Sequence, residues 1–343
     1  MMLFPVFGVI LFLNQVDAIL RHVFIDAILR QLHNQEKKIG SIMASEICCH
    51  CCKLLSVEEI SLYGLHKNCF MECFGSCEDF VDLIARSQSA PPAPISQEPK
   101  NISFFHGAYR KYSARLGKRT YILKVQQEEY PELPATEFLS NQIFCSLNIP
   151  VPDHYLIKYP KDKLCFVTKN FMSDLAASTL DHIYHFITDG KKHDCESLVK
   201  IIGEKTQRKR EQEKFIFLTL ADSLIGNHDR HGRNLAFIRS TKGMRLSPFY
   251  DNPSALALED PSMLGADLQP RGSIYTQDTD KPTMKDYVLE WNRLGYGDIV
   301  RRFKKNLSLG TIQDLIEKSH LSEKRKRALL DLILKRNEEL CSH

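Results

Sequence analysis

No stretch of this 343-residue sequence has the apolar length that a bilayer demands. The run from Leu3 to Leu13 is about half of the ~20 residues a spanning helix needs, and no basic segment precedes it as in a secretory signal. A membrane protein is therefore not expected; the expected location is the cytoplasm, with secretion into a host cell as a variant. Strong charge of one sign is also missing, and a net +4 is too mild to imply direct contact with nucleic acid. Nor does any segment repeat, which excludes solenoids and propellers. What is present is 43% hydrophobic residues, enough for sizeable cores in two or three domains.

Chemistry concentrates in Gly226-Asn227-His228-Asp229-Arg230-His231-Gly232-Arg233-Asn234, which follows a hydrophobic helical pattern and precedes an apolar run. Asp229 stands five residues ahead of Asn234, a spacing that suits phosphoryl transfer. An aspartate can orient a hydroxyl and accept its proton. A neutral amide oxygen one short loop away can hold Mg2+ without adding a second full charge beside a triphosphate. Downstream, Met244-Arg245-Leu246-Ser247-Pro248-Phe249-Tyr250-Asp251 reads as a short strand running into Asp251, the natural second ligand for Mg2+. Taken singly, each of these Asp and Asn residues is an ordinary turn residue. His228 and His231 open a transition-metal hydrolase as an alternative, but the C-terminal half has no second His/Asp cluster of suitable spacing. His231 is expected to hydrogen-bond within the loop and hold Asp229 in place.

Upstream, Arg119-Thr120-Tyr121-Ile122-Leu123-Lys124-Val125 has the bulky, partly alternating character of a strand. Lys124 can serve as a point charge for phosphates, held by a carboxylate from the following helix. Glu137 is the candidate, because Phe138, Leu139, Ile143, Phe144 and Leu147 give that helix a buried face. In isolation Lys124 reads as a snorkelling strand-edge lysine and Glu137 as a favourable first-turn charge; the downstream motif reverses that preference.

In this order, Lys124, Glu137, Asn227-x-Asp229-Arg230-His231-x-x-Asn234 and Tyr250-Asp251 resemble the HipA-type Ser/Thr protein kinases, short toxin and effector members included, over roughly residues 101 to 320. The resemblance implies an α+β, two-lobed kinase-like fold with a small β-rich N-lobe and a mainly helical C-lobe. It implies ATP and Mg2+ at the site, Asp229, Asn234 and Asp251 as the catalytic set, and Lys124, Glu137 and His231 around the nucleotide. The family's phosphate loop falls on Ser103 to Leu116, where Gly107 and Lys111 suit a backbone-amide cradle with a nearby cation. Phe104, Phe105, His106 and Tyr109 stand where relatives carry small or amide residues, which narrows the nucleotide pocket or moves the loop. Ser103 lies one residue out of register with the autophosphorylated serine of some relatives.

Cysteine is used unevenly, with seven of eleven between residues 48 and 77. Cys48-x-x-Cys51 followed by His66-x-x-Cys69 is a tetrahedral Zn2+ set, and Cys49-x-x-Cys52 is an equally spaced alternative first pair. A reduced cluster without metal is the plainer alternative, and a kinase that needs cytosolic ATP argues against disulfides. Similarity to the N-terminal segment of HipA-like proteins, on Cys48, Cys51, Lys53, Leu55 and Phe74-Gly75, favours Cys48 and Cys51.

Punctuation sets the expected organisation. Residues 1–45 form an uncertain extension, either a partner-binding or membrane-surface helix with Val16, Ile19, Leu20, Phe24, Ile28 and Leu29 in helical spacing, or a mis-assigned start ahead of Met43. Residues 46–86 are the Cys-rich unit, and 87–100, with Pro91, Pro92, Pro94 and Pro99, read as a linker separating it from the kinase. The N-lobe is expected over 101–172, with strands near 120–125, 153–159 and 164–171 and a hinge at Asn170 to Asp174. The C-lobe follows over 173–343, with helices at 195–205, 211–225, 284–294, 311–318 and 322–340. Basic runs at Arg208-Lys209-Arg210, Arg301-Arg302-Phe303-Lys304-Lys305 and Lys324-Arg325-Lys326-Arg327 read as solvated helix faces, with a partner or tRNA-like surface as the alternative.

The expected activity is transfer of the ATP γ-phosphate to a Ser or Thr hydroxyl on a protein, with autophosphorylation. The family resemblance brings in an antitoxin partner and, as substrate, an aminoacyl-tRNA synthetase or a host protein. The alternatives are a degenerate kinase acting as a protein-binding module and a phosphoinositide kinase.

Overall fold

A computed structural model describes residues 46–55, 61–86, 111–160, 162–175, 177–187, 193–265 and 268–342. The expected N-terminal helix, the Pro-rich linker, Ser103 and Gly107 lie outside the described residues.

The small lobe is built on an antiparallel five-stranded sheet of β3 (Val81–Arg86), β4 (Lys111–Leu116), β5 (Arg119–Val125), β7 (Leu164–Lys169) and β6 (His154–Lys158), in that spatial order. Gly117, at φ +59°, makes the tight β4–β5 turn that a residue with a Cβ adopts only under strain. This hairpin sets Lys111 directly opposite Lys124. Helix α2 (Leu133–Ser146) packs across the sheet with proline in its first turn, where the missing N–H costs nothing.

The cysteine segment does not stand apart from this lobe. Its hairpin β1 (Ser61–Leu62) and β2 (Leu65–His66), helix α1 (Lys67–Phe74) and the residue before β3 place Phe70, Phe74 and Phe80 in one core with Leu116, Tyr121 and Leu123. Strand β3 then adds to the edge of the kinase sheet by pairing with β4. The expected separation fails because a unit this small cannot close a core of its own, and it borrows the neighbouring sheet.

Beyond Lys169 the chain passes through a turn at Asn170 to Leu175 into the large lobe. A three-stranded sheet, in the order β10 (Gly243–Leu246), β9 (Ala236–Ser240), β8 (Thr179–His182), interrupts helices α3 (Cys195–Thr206), α4 (Lys209–Ile225), α5 (Met284–Arg293), α6 (Gly297–Asn306), α7 (Leu309–Glu317) and α8 (Glu323–Cys341). The expected strands and helices match these elements to within a few residues, and α6 is the one C-lobe helix that was not anticipated. It buries only Ile299, Val300 and Phe303, and its basic residues dominate the sequence pattern. Among the described residues no helix is long and apolar enough to cross a membrane.

His154, on β6, has Nδ1 2.9 Å from the carbonyl of Pro152 and Nε2 3.4 Å from the Gln142 amide. Burial lowers the pKa of His154, as it does for His193 and His320. The native state therefore resists protonation that the unfolded chain accepts below about pH 6.5, and stability is lost as the pH falls through that value. Thermal unfolding followed from pH 7.5 to 5.5 is expected to show a falling midpoint, with a shallower fall in His154→Gln.

Candidate active site

The C-terminus of α4 decides where the motif loop starts. Gly226 caps the helix at φ +71°, with Leu332 of α8 only 2.7 Å from the position a Cβ would occupy. Any larger residue there carries strained backbone and displaces the Leu332 side chain and Pro270.

From that cap the loop is held by a buried network around Arg230, which is 1% exposed. Its guanidinium donates to both carboxylate oxygens of Asp222 on α4, at 2.7 and 2.9 Å. The same group donates to the carbonyls of Asn234 (3.2 Å) and Tyr250 (2.9 Å) and to Asn252 Oδ1 (2.6 Å). Asn227 Nδ2 donates to Asp222 at 2.8 Å, and Asn252 Nδ2 to Asn141 Oδ1 of α2 at 2.6 Å. One planar cation thus ties the last turn of α4 to both ends of the active segment, a task for a rigid fork of donors.

This frame positions the residues expected from sequence. Asp229 projects to solvent with its side chain 62% exposed, and its N–H is held by Asn227 Oδ1 at 3.1 Å. His231 Nε2 lies 3.8 Å from Asp229 Oδ1, and His231 Nδ1 accepts from the Arg233 N–H at 3.2 Å. Asn234 is buried, and its Nδ2 donates to the Asp229 carbonyl at 3.0 Å. Only an NH2 can donate to a carbonyl, so that bond fixes the amide and leaves Oδ1 as the atom for a cation.

Across the cleft, Lys124 Nζ donates to both oxygens of Glu137, at 2.6 and 2.7 Å, and also to Asp251. Lys111 Nζ meets the two Asp251 oxygens at 3.1 and 3.0 Å. Burial pushes the Asp251 carboxyl up, but the two ammonium groups outweigh it and hold the acid well below the usual carboxylate range. Burial pulls Lys124 down, and Asp251 and Glu137 together more than reverse that. Lys111 has mainly Asp251 to offset its burial and stays lowered. Asp251 adopts φ +53°, a left-handed conformation that short polar side chains tolerate better than others.

Lys111, Lys124, Glu137, Asp229, His231, Asn234 and Asp251 line one cleft of about 240 Å3. Lys111 enters it from the first residue of a strand, paired with Asp251, rather than from a loop. Asp222, Asn252 and Asn141 lie outside the expected motif; an aspartate one residue past a helical turn from Asn227 and an asparagine after Asp251 are the available signals.

A second anchor holds α2 itself. Glu132, at the N-terminus of α2, accepts from the Ser322 N–H, from Ser322 Oγ (3.0 Å) and from Arg325 Nε at the start of α8. Arg325 is 2% exposed and also donates to the Glu259 carbonyl at 2.7 Å.

In the cysteine segment, the ligand atoms of Cys48, Cys51, His66 and Cys69 all lie within 4.8 Å of one another. His66 Nε2 is 3.0 Å from the Leu54 carbonyl, which makes Nδ1 the acceptor nitrogen, 3.3 Å from Cys51 Sγ and 3.8 Å from Cys69 Sγ. Burial opposes ionisation of Cys48, but backbone N–H groups of Cys51, His50 and His66 outweigh it and bring the thiol down to about 7. Cys49 turns into the core, where burial pushes its thiol up to about 12; the alternative pair Cys49 and Cys52 is not part of this group.

The family described as HipA-like C-terminal domain matches residues 102–319. The chain belongs to that family. A putative kinase of Haemophilus influenzae is 28% identical over 150 residues, which cover 38% of this chain and 44% of the relative, so the match spans under half of that protein's length. Among solved structures, the HipA-like chain is similar to the Helicobacter pylori proinflammatory kinase CtkA, with TM-score 0.56, 20% identity, and coverage of 67% of this chain and 90% of that one. The Shewanella oneidensis HipA, in a complex with HipB and operator DNA, gives TM-score 0.44 and 15% identity over 65% of this chain and 58% of its own. The two-lobed kinase-like fold thus agrees with the CtkA likeness, and the family with the motif.

Arg230→Met leaves the Asp222 carboxylate buried without its partner, and is expected to cost about 3–5 kcal/mol in urea unfolding. Arg230→Lys, which keeps the charge but loses the fork, should recover only part of that.

Proposed function

We propose that this protein transfers the γ-phosphate of ATP to a Ser or Thr hydroxyl of a protein substrate. The observation that carries the reading is the convergence of the Lys124–Glu137 pair, Asp229, Asn234 and Asp251 on one cleft. In this reading Asp229 accepts the hydroxyl proton as the new O–P bond forms and the bond to the leaving ADP breaks. Its exposure fits an incoming protein side chain, and the Asn227 contact fixes its backbone. Lys124 neutralises phosphate charge and Glu137 keeps it aimed; Lys111 adds a second cation on the same side.

The donor set of Asn234 Oδ1 and the Asp251 carboxylate suits Mg2+, a hard cation bound by oxygen, and would hold it there. When bound, Mg2+ supplies further neutralisation of phosphate charge. An antitoxin partner, autophosphorylation and an aminoacyl-tRNA synthetase or host-protein substrate enter this proposal through the family resemblance alone. In the cysteine segment, three thiols and one imidazole with a fixed tautomer match the donor set of a structural Zn2+.

A second reading, a binding module without turnover, is favoured by one observation: Asp251 is already gripped by Lys111 and Lys124 in a narrow cleft. Labelling with γ-labelled ATP and Mg2+ separates the two. Wild type is expected to incorporate label and Asp229→Ala to lose it by about 10^2- to 10^4-fold while still binding nucleotide. Equal labelling in the two proteins removes Asp229 from the mechanism, and nucleotide binding without transfer to any protein favours the second reading. Elemental analysis is expected to find one zinc per chain, lost in Cys51→Ser together with part of the N-lobe stability.

A further inference from the structure

A larger hollow lies outside the motif residues. It measures about 830 Å3, and its floor is Ile149, Pro150, Val151 and Phe217. Arg210 and Lys214 of α4 and Arg302 and Lys305 of α6 form its walls, with Glu213 between them. Two basic runs far apart in the sequence meet here because α4 packs on α6, with Phe217 and Phe303 edge to face at 5.3 Å.

The charge in this groove is not accounted for by local stability. Arg208, Lys209 and Arg210 occupy the N-cap and first turn of α4, the end at which the helix dipole favours acids, and Arg208 makes no side-chain cap. Glu213 pairs with Arg302 at 3.0 Å and Glu211 with Lys214 at 2.7 Å. Arg210 and Lys305 are exposed and have no ion pair among the described residues. Val151 and Phe217 are only partly buried, so apolar surface is left open between two unpaired cations.

We propose that this groove docks an acidic, amphipathic peptide segment of a protein partner, with carboxylates on Arg210 and Lys305 and an apolar side chain on the Val151–Phe217 floor. Glu213 interrupts the track that a nucleic-acid backbone follows, and the floor is mainly aliphatic rather than a stacking platform; both favour peptide over nucleic acid. That the partner is the protein to be phosphorylated rests on the kinase reading, whereas the docking itself does not.

The test is fluorescence anisotropy on the full chain with a labelled peptide that alternates Glu with Leu. Binding should weaken with added salt, as charge pairing across an exposed groove does. It should weaken at least about tenfold in Arg210→Glu/Lys305→Glu and several-fold in the uncharged floor variant Val151→Ser. The pair Lys324→Glu/Arg327→Glu, in the basic run of α8, should leave it unchanged. Circular dichroism checks that each variant is folded. Absence of binding to wild type, equal binding to both charge-reversed pairs, or tighter binding of a single-stranded RNA oligonucleotide would overturn the proposal. Labelling with γ-labelled ATP in parallel keeps the two readings apart: absent transfer in wild type counts against the kinase, while the anisotropy result stands by itself.

Discussion

Arg230 and Asp222 are buried together, and much of the active segment depends on their pairing. Asp222 belongs to a helix, a rigid reference, and Arg230 to the loop that follows it. Five donated hydrogen bonds from one guanidinium convert that loop into an extension of α4 and bring Tyr250 and Asn252, the neighbours of Asp251, to the same point. The two halves of the site, Asp229 with Asn234 and Asp251 with its lysines, are therefore set relative to each other by a residue that touches neither the cleft nor solvent.

In the proposed reaction the exposed and buried acids of the cleft divide the chemistry between them. Asp229 is open to solvent, and among the described residues no lysine or arginine pairs with it, which in that reading lets it meet a hydroxyl. Asp251 sits between two ammonium groups that keep it ionised. Lys124 is shared by Glu137 and Asp251, which spreads one positive charge over two carboxylates and links α2 to the segment after β10.

Most of the residues that line the cleft were legible in the sequence because their spacing reflects chemistry: Lys124 at a strand end, Glu137 on the next helix, Asp229 and Asn234 in one loop. The elements around them were legible from features such as the regular apolar periodicity of α3 and the long apolar run that ends α4. Other features were not, strands β4 and β8 among them. Helix α6 hides three apolar residues among charges, so its pattern reads as surface. Strand β3 has exposed Val81, Leu83 and Ile84 and acquires its strand character only by pairing with β4, a contact across the whole Pro-rich segment. The partners of Arg230 lie on α4, α2 and the Asp251 segment, and spacing along the chain carries no information about such convergence.

The bond from Glu132 to the start of α8 has a consequence for how this fold can be controlled. Kinase-like folds can be switched by swinging the helix that carries the lysine's carboxylate partner. Here that helix is fastened at its N-cap, Glu132, to the large lobe through a nearly solvent-free arginine. Releasing it separates an ion pair whose arginine is buried, which raises the free energy of the released conformer. Regulation in this chain is thus better served by gating access to the cleft than by dismantling it.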